Sequence, residues 1–255
     1  MGSDREIDVF PPALIDALVD SRHIVVMTGS GTSAESGIPT FRDAQTGLWA
    51  KYRPEDLATP EAFARNPQLV SDWYEWRRQL VSKTDPNPGH TAIAALTKLV
   101  KQLTLITQNV DGLHQRAGND DVIEFHGNIM LSRCTDGHPA TGIQGDTESP
   151  PRCEQCGAMI RPAVVWFGES IPAAVLQRAL AAVETCDVFF AIGTSAQVQP
   201  AAGLALLAKQ NGATLIEINP AETPLTDDCD YILKGPSGAI LPKLVSALKQ
   251  TSDHA

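Results

Sequence analysis

A glycine-rich stretch follows the first apolar run of the chain and has the residue types of a phosphate-binding loop. Gly29 and Gly31 come directly after residues 23–28, whose apolar pattern predicts a buried parallel strand. Glycines there permit a tight turn and let main-chain N–H groups approach a phosphate at a helix N-terminus. The spacing G-x-G-x-x-A, completed by Ala34, is an allowed variant of the dinucleotide fingerprint. An ordinary strand–turn–helix can have the same spacing.

The residues after this loop distinguish it from the loop of a dehydrogenase. A dehydrogenase continues into an amphipathic helix and a second strand, and an acidic residue about 20 positions on holds the ribose. Here Gly37 and Pro39 break the helix almost at once, and Phe41 and Arg42 open a polar loop that reaches Trp49. Long irregular segments beside phosphate sites are usually functional. We interpret the stretch as a nucleotide pocket with a lid made from its own loop.

Two further polar stretches lie at the ends of predicted strands. Residues 108–112 follow a strand at 103–107, and His126 ends a strand at 122–126. Ligands bind open α/β sheets at this carboxyl edge. Residues 108–112 either cap the next helix, with Asp111 as the N-cap, or hold a carboxamide such as that of a nicotinamide ring. His126 is either a structural histidine or a general base, since the pKa of imidazole is near neutrality.

Three cysteines have the spacing of a structural metal site. Cys153 and Cys156 form a C-x-x-C pair, and Cys134 lies about twenty residues upstream. A structural zinc ion takes four ligands, and no fourth cysteine stands at the expected spacing after Cys134. Asp136 or His138 could complete a tetrahedron, or the site could be empty and the loop held by packing alone.

The composition limits the class of protein. With 255 residues, of which 43% are hydrophobic and 20% charged, the chain has the values of a soluble globular protein. A net charge of −10 without a basic tract argues against nucleic acid as a partner. No apolar run is long enough for a membrane span, and the N-terminus lacks the apolar core of a signal peptide. Five cysteines, an odd number, argue against a disulfide scaffold, so we expect a cytoplasmic protein.

Strands and helices alternate along most of the chain, which predicts an α/β fold with a parallel sheet covered on both faces. Two stretches interrupt this alternation and are expected to form a smaller inserted lobe with a helical module and a cysteine module. The predicted bounds are 1–39, 86–130 and 163–255 for the sheet domain, and 40–85 and 131–162 for the inserted lobe.

Taken together and in order, these motifs resemble the sirtuins, which are NAD-dependent protein lysine deacylases. The resemblance runs from about residue 19 to residue 245. It comprises residues 29–42, 108–111, 126–127, the three cysteines, 164–169, 193–195 and 217–219. It implies a Rossmann-like, doubly wound sheet, NAD as the cofactor, a structural zinc ion, and acylated proteins or peptides as substrates.

The resemblance also implies roles for individual residues. His126 would accept a proton from a ribose hydroxyl, and Phe41 would shield the reactive ribose from water. The peptide would pair as an extended strand with Gly168 and Glu169, and the carbonyl of Val165 would hold the lysine nitrogen. The implied NAD-binding residues are Gly29, Ser30, Gly31, Ser33, Ala34, Glu35, Thr40, Phe41, Arg42, Gln108, Asn109, Asp111, Gly193, Thr194, Ser195, Asn219, Ala221 and Ser237.

One pair of residues indicates a subclass. Tyr74 and Arg77 lie three residues apart on one face of a predicted helix, which by itself is typical of a surface helix with an exposed arginine. In sirtuins of the desuccinylase type, a Tyr-x-x-Arg pair reaches the acyl pocket, and a small residue, here Ala58, widens it. Because guanidinium pairs bidentately with carboxylate, the resemblance implies a preference for succinyl- and malonyl-lysine, with acetyl-lysine also accepted.

Two other classes of protein compete with this interpretation. A regulatory module could bind NAD or ADP-ribose without turnover, although the presence of Phe41, Asn109, Asp111 and His126 argues against that loss. An NAD glycohydrolase or ADP-ribosyltransferase would consume NAD without an acyl-lysine. Nicotinamide release that requires an acyl-lysine peptide would separate the deacylase from all of these.

Overall fold

The structure, a computed structural model, describes residues 10–40, 51–140 and 150–252. The helices are α1 (Pro12–Asp20), α2 (Ser30–Ala34), α3 (Pro54–Leu57), α4 (Pro60–Arg65), α5 (Pro67–Ser82), α6 (Pro88–Leu96), α7 (Leu113–Arg116), α8 (Ala173–Thr185), α9 (Ala201–Gln210) and α10 (Ser237–Ser252). The strands are β1 (Ile24–Thr28), β2 (Leu103–Thr107), β3 (Val122–Glu124), β4 (Gly127–Cys134), β5 (Pro139–Ala140), β6 (Ile160–Val164), β7 (Val188–Ile192), β8 (Thr214–Asn219) and β9 (Tyr231–Lys234). Within these ranges, no helix has the length and apolar character needed to cross a bilayer.

The main sheet has six parallel strands in the order β3-β2-β1-β7-β8-β9. The chain proceeds outward from β1 to β3, and then returns to the other side of β1 and proceeds outward to β9. The strand order therefore reverses between β1 and β7. In open α/β sheets the ligand crevice lies outside the carboxyl ends of the strands at such a reversal. The predicted Rossmann-like, doubly wound fold is confirmed.

Both faces of this sheet are covered, which explains why β1 is apolar without alternation. Ile24 and Val26 belong to a hydrophobic cluster that includes residues of α1, α6 and α10. Val25 and Met27 belong to a second cluster that includes residues of α8 and α9. Each residue of β1 is therefore buried, as expected for a central parallel strand.

A smaller antiparallel sheet, in the order β5-β4-β6, was not predicted from the sequence. Its longest strand, β4, shifts register against β6 between Asn128 and Ser132. Such a bulge disrupts the alternation by which strands are identified. A third hydrophobic cluster contains Trp73 of α5, Ile129 of β4 and Trp166, and so connects this sheet to the helices α3 to α5. The two strands β4 and β6 cross the predicted domain bounds, which themselves stay a prediction.

Candidate active site

The loops after β1 and β7 are held together by glycines. The backbone N–H of Gly29 donates to the carbonyl of Ile192 over 2.9 Å, and that of Gly31 donates to the carbonyl of Gly193 over 2.8 Å. A Cβ atom on either Gly29 or Gly31 would lie 2.8 Å from the Gly193 oxygen. Glycine is therefore required where these loops meet. The short helix α2 ends before Gly37, as the sequence predicted.

A buried polar network lies directly beneath this loop. Asn109 Nδ2 donates to the carbonyl of Gly29 over 3.0 Å and to Ser33 Oγ over 2.9 Å. Ser33 Oγ in turn donates to Asp111 Oδ2 over 2.7 Å, while Asp111 Oδ1 accepts from the N–H of Leu113 over 2.9 Å. Asp111 therefore links the first residue of α7 to the glycine loop, but the N-cap of α7 is Gly112 and not Asp111 as predicted. The binding of a carboxamide by residues 108–112 stays a prediction.

Further predicted cofactor residues from five segments meet at the same edge of the sheet. Gln108 Nε2 donates to Thr194 Oγ1 over 3.0 Å, and Asn219 Nδ2 donates to the carbonyl of Thr194 over 2.9 Å. Glu35 accepts a hydrogen bond of 2.6 Å from Ser237 Oγ at the start of α10. The other predicted cofactor residues on these segments are Ser30, Ala34, Thr40, Ser195 and Ala221. Two further ones, Phe41 and Arg42, lie outside the described residues.

His90 also belongs to this network, although no role was predicted for it from the sequence. Its ring is fully buried, with Nε2 3.4 Å from Ser33 Oγ and its centroid 4.7 Å from that of His114. Burial lowers the pKa of both histidines, that of His114 to about 3, so both rings are neutral at pH 7. A local sequence feature could have indicated that His90 is fixed in place. Asn87 caps α6, and its backbone N–H donates to His90 Nδ1 over 3.3 Å.

His126 lies in the turn between β3 and β4, and not within a strand as predicted. The strand ends at Glu124 because the chain must leave the parallel sheet and enter the antiparallel one. Gly127 makes this change possible with a φ of +79°. A Cβ atom at Gly127 would lie only 2.2 Å from the carbonyl oxygen of Ala163, so glycine is required beside the histidine.

The hydrogen bonds of His126 define its protonation. Nδ1 lies 3.0 Å from the carbonyl oxygen of Gln108. Because a carbonyl only accepts, Nδ1 carries the proton and Nε2 presents a lone pair. Burial lowers the pKa of His126, and the bond to Gln108 opposes that effect only in part. The ring is therefore a neutral imidazole that can act as a general base near pH 7.

The predicted substrate loop, residues 165–169, runs beside His126. The backbone N–H of Val165 donates to the carbonyl of His126 over 2.9 Å, and that of Phe167 donates to the carbonyl of Ala58 over 2.9 Å. The Val165 carbonyl accepts no hydrogen bond within the described part of the chain. Gly168 is exposed, with a φ of +87°. The loop thus places the backbone of Val165 next to the histidine and binds Ala58 two residues further along.

The side chain of Glu169 faces inward and holds this loop in place. Its carboxylate accepts from Arg161 Nη1 and Nη2 over 2.6 and 2.9 Å, from Arg133, and from the backbone N–H of Trp166. Burial raises the pKa of Glu169, but the hydrogen bonds from Arg161 and Trp166 lower it on balance. The carboxylate is therefore ionised. Because the backbone N–H of Glu169 donates to the carbonyl of Trp166 over 3.0 Å, only the Glu169 carbonyl is left for the predicted strand pairing.

Tyr74 and Arg77 are both buried on α5, at 4% and 8% exposure, so this is not a surface helix with an exposed arginine. Tyr74 Oη accepts a hydrogen bond of 2.8 Å from Trp166 Nε1. The Arg77 guanidinium carbon lies 5.1 Å from the ring centroid of Trp73. Burial raises the pKa of Tyr74 to about 12 and lowers that of Arg77, for which Tyr74 and Asp111 oppose the effect. The pair combines a protonated phenol with a buried cation.

The cysteine site has a histidine as its fourth member. Ligand atoms of Cys134, His138, Cys153 and Cys156 all lie within 4.8 Å of one another. His138 Nδ1 is buried and has no hydrogen-bond partner among the described residues, as suits a nitrogen that binds a metal. Three thiolates and one imidazole are a common ligand set of structural zinc. The residues therefore fit a zinc ion, and of the two candidates named from the sequence the structure selects His138 over Asp136.

Comparisons with known proteins agree with this geometry. The sequence model of the Sir2 family matches residues 29–200. An NAD-dependent protein deacylase of Methylococcus capsulatus is 50% identical over 251 residues, which cover 95% of this chain and 98% of that protein. A crystal structure of a Sir2 homolog–NAD complex has a TM-score of 0.90 and 47% identity, covering 95% of each chain.

A third similar protein has a peptide in its structure. It is a Sir2 variant with a deacetylated p53 peptide and 3′-O-acetyl ADP ribose, at a TM-score of 0.80 and 29% identity, covering 92% of this chain and 97% of that one. The family match extends over more than half of the chain, and the relative from M. capsulatus aligns over nearly all of it. The chain belongs to the Sir2 family.

Proposed function

We propose that this protein is an NAD-dependent protein lysine deacylase that prefers acidic acyl groups, succinyl and malonyl, and also accepts acetyl. In this reaction NAD and one water are consumed: nicotinamide is released, and the acyl group is transferred from lysine to a hydroxyl of ADP-ribose, which leaves free lysine. The similar proteins from M. capsulatus and in the NAD and peptide complexes support the general activity. The preference for acidic acyl groups rests on the residues of this chain.

The position of His126 carries the proposal. Its ring binds the carbonyl of Gln108 at the cofactor edge, and its own carbonyl binds the N–H of Val165 in the substrate loop. A single residue therefore adjoins both the proposed cofactor site and the proposed peptide site. Because Nδ1 carries the proton, Nε2 would accept the proton of a ribose hydroxyl, which activates that oxygen as a nucleophile.

The polar network around the glycine loop supports the proposed binding of NAD. The loop brings the N-terminus of α2 and the carboxyl edge of the sheet together, an arrangement that favours phosphate oxygens. Ser33, Asn109 and Asp111 are linked to one another and to Gly29, so their positions are set before a ligand arrives. Preorganised polar groups lower the cost of binding a polar ligand.

Burial of Tyr74 and Arg77 supports the proposed acyl preference. A carboxylate on the acyl chain would accept hydrogen bonds from both the phenol and the guanidinium, and a buried bidentate pair of this kind is stronger than a neutral contact. An acetyl group ends in a methyl group and gains neither contact. Ala58, held by Phe167 beside the same cluster, leaves room for the longer acyl chain.

The test is a comparison of acyl groups on one peptide. Purified protein is given NAD and a peptide with a single lysine that carries succinyl, malonyl, glutaryl or acetyl, and kcat/KM is measured for each by mass spectrometry. We expect kcat/KM for succinyl and malonyl to exceed that for acetyl by about tenfold or more, and His126→Ala to abolish all four activities. Equal values for succinyl and acetyl would contradict the acyl preference, and no NAD-dependent removal of any group would contradict the deacylase activity.

A further inference from the structure

The hydrogen bond between Trp166 and Tyr74 joins two residues 92 positions apart and determines what the tyrosine can do. An indole Nε1–H is a donor only, so Tyr74 Oη is the acceptor in this 2.8 Å contact. The phenol keeps its own hydrogen, and no residue in the described ranges accepts it. Since burial keeps the phenol protonated, Tyr74 retains one O–H donor for a ligand.

Trp166 is held rigidly enough to fix this arrangement. The indole is 2% exposed, and the Arg161 guanidinium carbon lies 3.2 Å from its ring centroid. Glu169 binds the same guanidinium through two hydrogen bonds and also accepts from the Trp166 backbone N–H over 2.8 Å. Phe63 packs on the ring with a centroid distance of 5.3 Å. These contacts therefore hold the indole N–H in one orientation, in which it points toward Tyr74.

We propose that Trp166 is a specificity-determining positioning residue, which commits the Tyr74 hydroxyl to donate its hydrogen to the carboxylate of an acidic acyl group. The proposal rests on the deacylase function proposed above. With one Oη lone pair occupied by the indole, the phenol O–H is directed away from Trp166 and into the acyl pocket. A succinyl or malonyl carboxylate accepts that hydrogen, whereas the methyl group of acetyl cannot.

The consequence is an effect on selectivity and not on general activity. Without the indole N–H, the hydroxyl can rotate, and its hydrogen is no longer directed at the acyl group. The hydrogen bond from the phenol to the acyl carboxylate is then weakened but not always lost. This corresponds to a fall of roughly three- to tenfold in kcat/KM for the acidic acyl group. Removal of acetyl should be unaffected, because it does not use the phenol hydrogen.

Trp166→Phe tests this inference, with Trp73→Phe as the matched control. Both substitutions remove an indole N–H from the same hydrophobic cluster, but Trp73 Nε1 is buried without a hydrogen-bond partner among the described residues. Phenylalanine retains an aromatic face for Arg161 at position 166 and for Arg77 at position 73. We expect Trp166→Phe to lower the ratio of desuccinylase to deacetylase kcat/KM by roughly three- to tenfold. Trp73→Phe should leave that ratio unchanged.

A double-mutant cycle with Tyr74→Phe separates this role from a general structural one. If Trp166 acts through the tyrosine hydroxyl, Trp166→Phe should have little further effect on the ratio once that hydroxyl is gone. An equal fall in both activities, an unchanged ratio, or full additivity with Tyr74→Phe would overturn the inference and leave the deacylase function standing. A wild-type protein that removes neither acyl group would overturn the proposed function and, with it, this inference.

Discussion

Replacement of Arg77 by methionine is the substitution that tests most sharply how the acyl group is recognised. Methionine keeps the unbranched shape of the arginine stem and removes the charge and the planar donors. We expect desuccinylation to fall steeply and deacetylation to change little, because only the acidic acyl group would pair with the guanidinium. The ratio of the two kcat/KM values therefore measures the contribution of the charge.

The expected loss of desuccinylase activity can be worked out from the burial of Arg77. A hydrogen bond that involves a charged group contributes about 1.5–3 kcal/mol, and solvent screening reduces exposed pairs toward the low end. Arg77 is 8% exposed, so we take the upper part of this range, about 2–3 kcal/mol, for a bidentate contact. This corresponds to roughly a 30- to 150-fold loss of desuccinylase kcat/KM.

Arg78→Met is the matched control for this experiment. Arg78 is the next residue on α5, and its side chain is similarly buried, at 11% exposure. Its guanidinium, however, donates to the carbonyl oxygens of Ile129 and Leu131 in β4. Loss of this charge should affect both activities together, through the position of β4, without changing their ratio. Equal losses of desuccinylation and deacetylation in Arg77→Met would refute the reasoning, because the arginine would then not recognise acyl charge.

The general base, the metal site and the glycine contact each give a measurable expectation. Because burial lowers the pKa of His126 below 6.5, the acid limb in the pH profile of kcat/KM should lie below pH 6.5, and a limb above pH 7 would contradict this. His138→Ala should reduce zinc below one ion per chain and lower the Tm, whereas Asp136→Ala should keep both, as elemental analysis and thermal unfolding would show. Gly31→Ala should lower the free energy of unfolding by about 1–3 kcal/mol, because the Cβ of the alanine would collide with the Gly193 oxygen. The helical Gly203→Ala should raise it by about 0.5–1 kcal/mol, and urea titrations that rank the two variants the other way would contradict the contact.

The parts of the fold that depend on local pattern could be predicted from the sequence. The uninterrupted apolar run of β1 indicates a strand buried on both faces, and Gly29 and Gly31 after it indicate a close backbone approach. These properties depend on residues that are neighbours in the sequence, so they can be predicted without knowledge of the tertiary structure. The same applies to His126, whose place near a strand end was recognised although its strand is two residues shorter than expected.

Other parts depend on contacts between distant segments and could not be predicted. The register shift in β4 removes the alternation that would identify a strand, so the antiparallel sheet was missed. His138 could be named only as one of two candidate ligands, because the spacing does not show which side chain reaches the three cysteines. The contact of Trp166 with Tyr74 and that of His90 with Ser33 join residues 92 and 57 positions apart. In each case tertiary packing decides which of several polar residues meet.

Release of nicotinamide, measured with and without an acyl-lysine peptide, tests the proposed chemistry most directly. We predict that the protein releases nicotinamide from NAD only when an acyl-lysine peptide is present, with one nicotinamide formed for each lysine freed. His126→Ala should stop both processes together. Nicotinamide release at the same rate without peptide would indicate a glycohydrolase, and no release with any acyl peptide would indicate a binding module; either result would contradict the account.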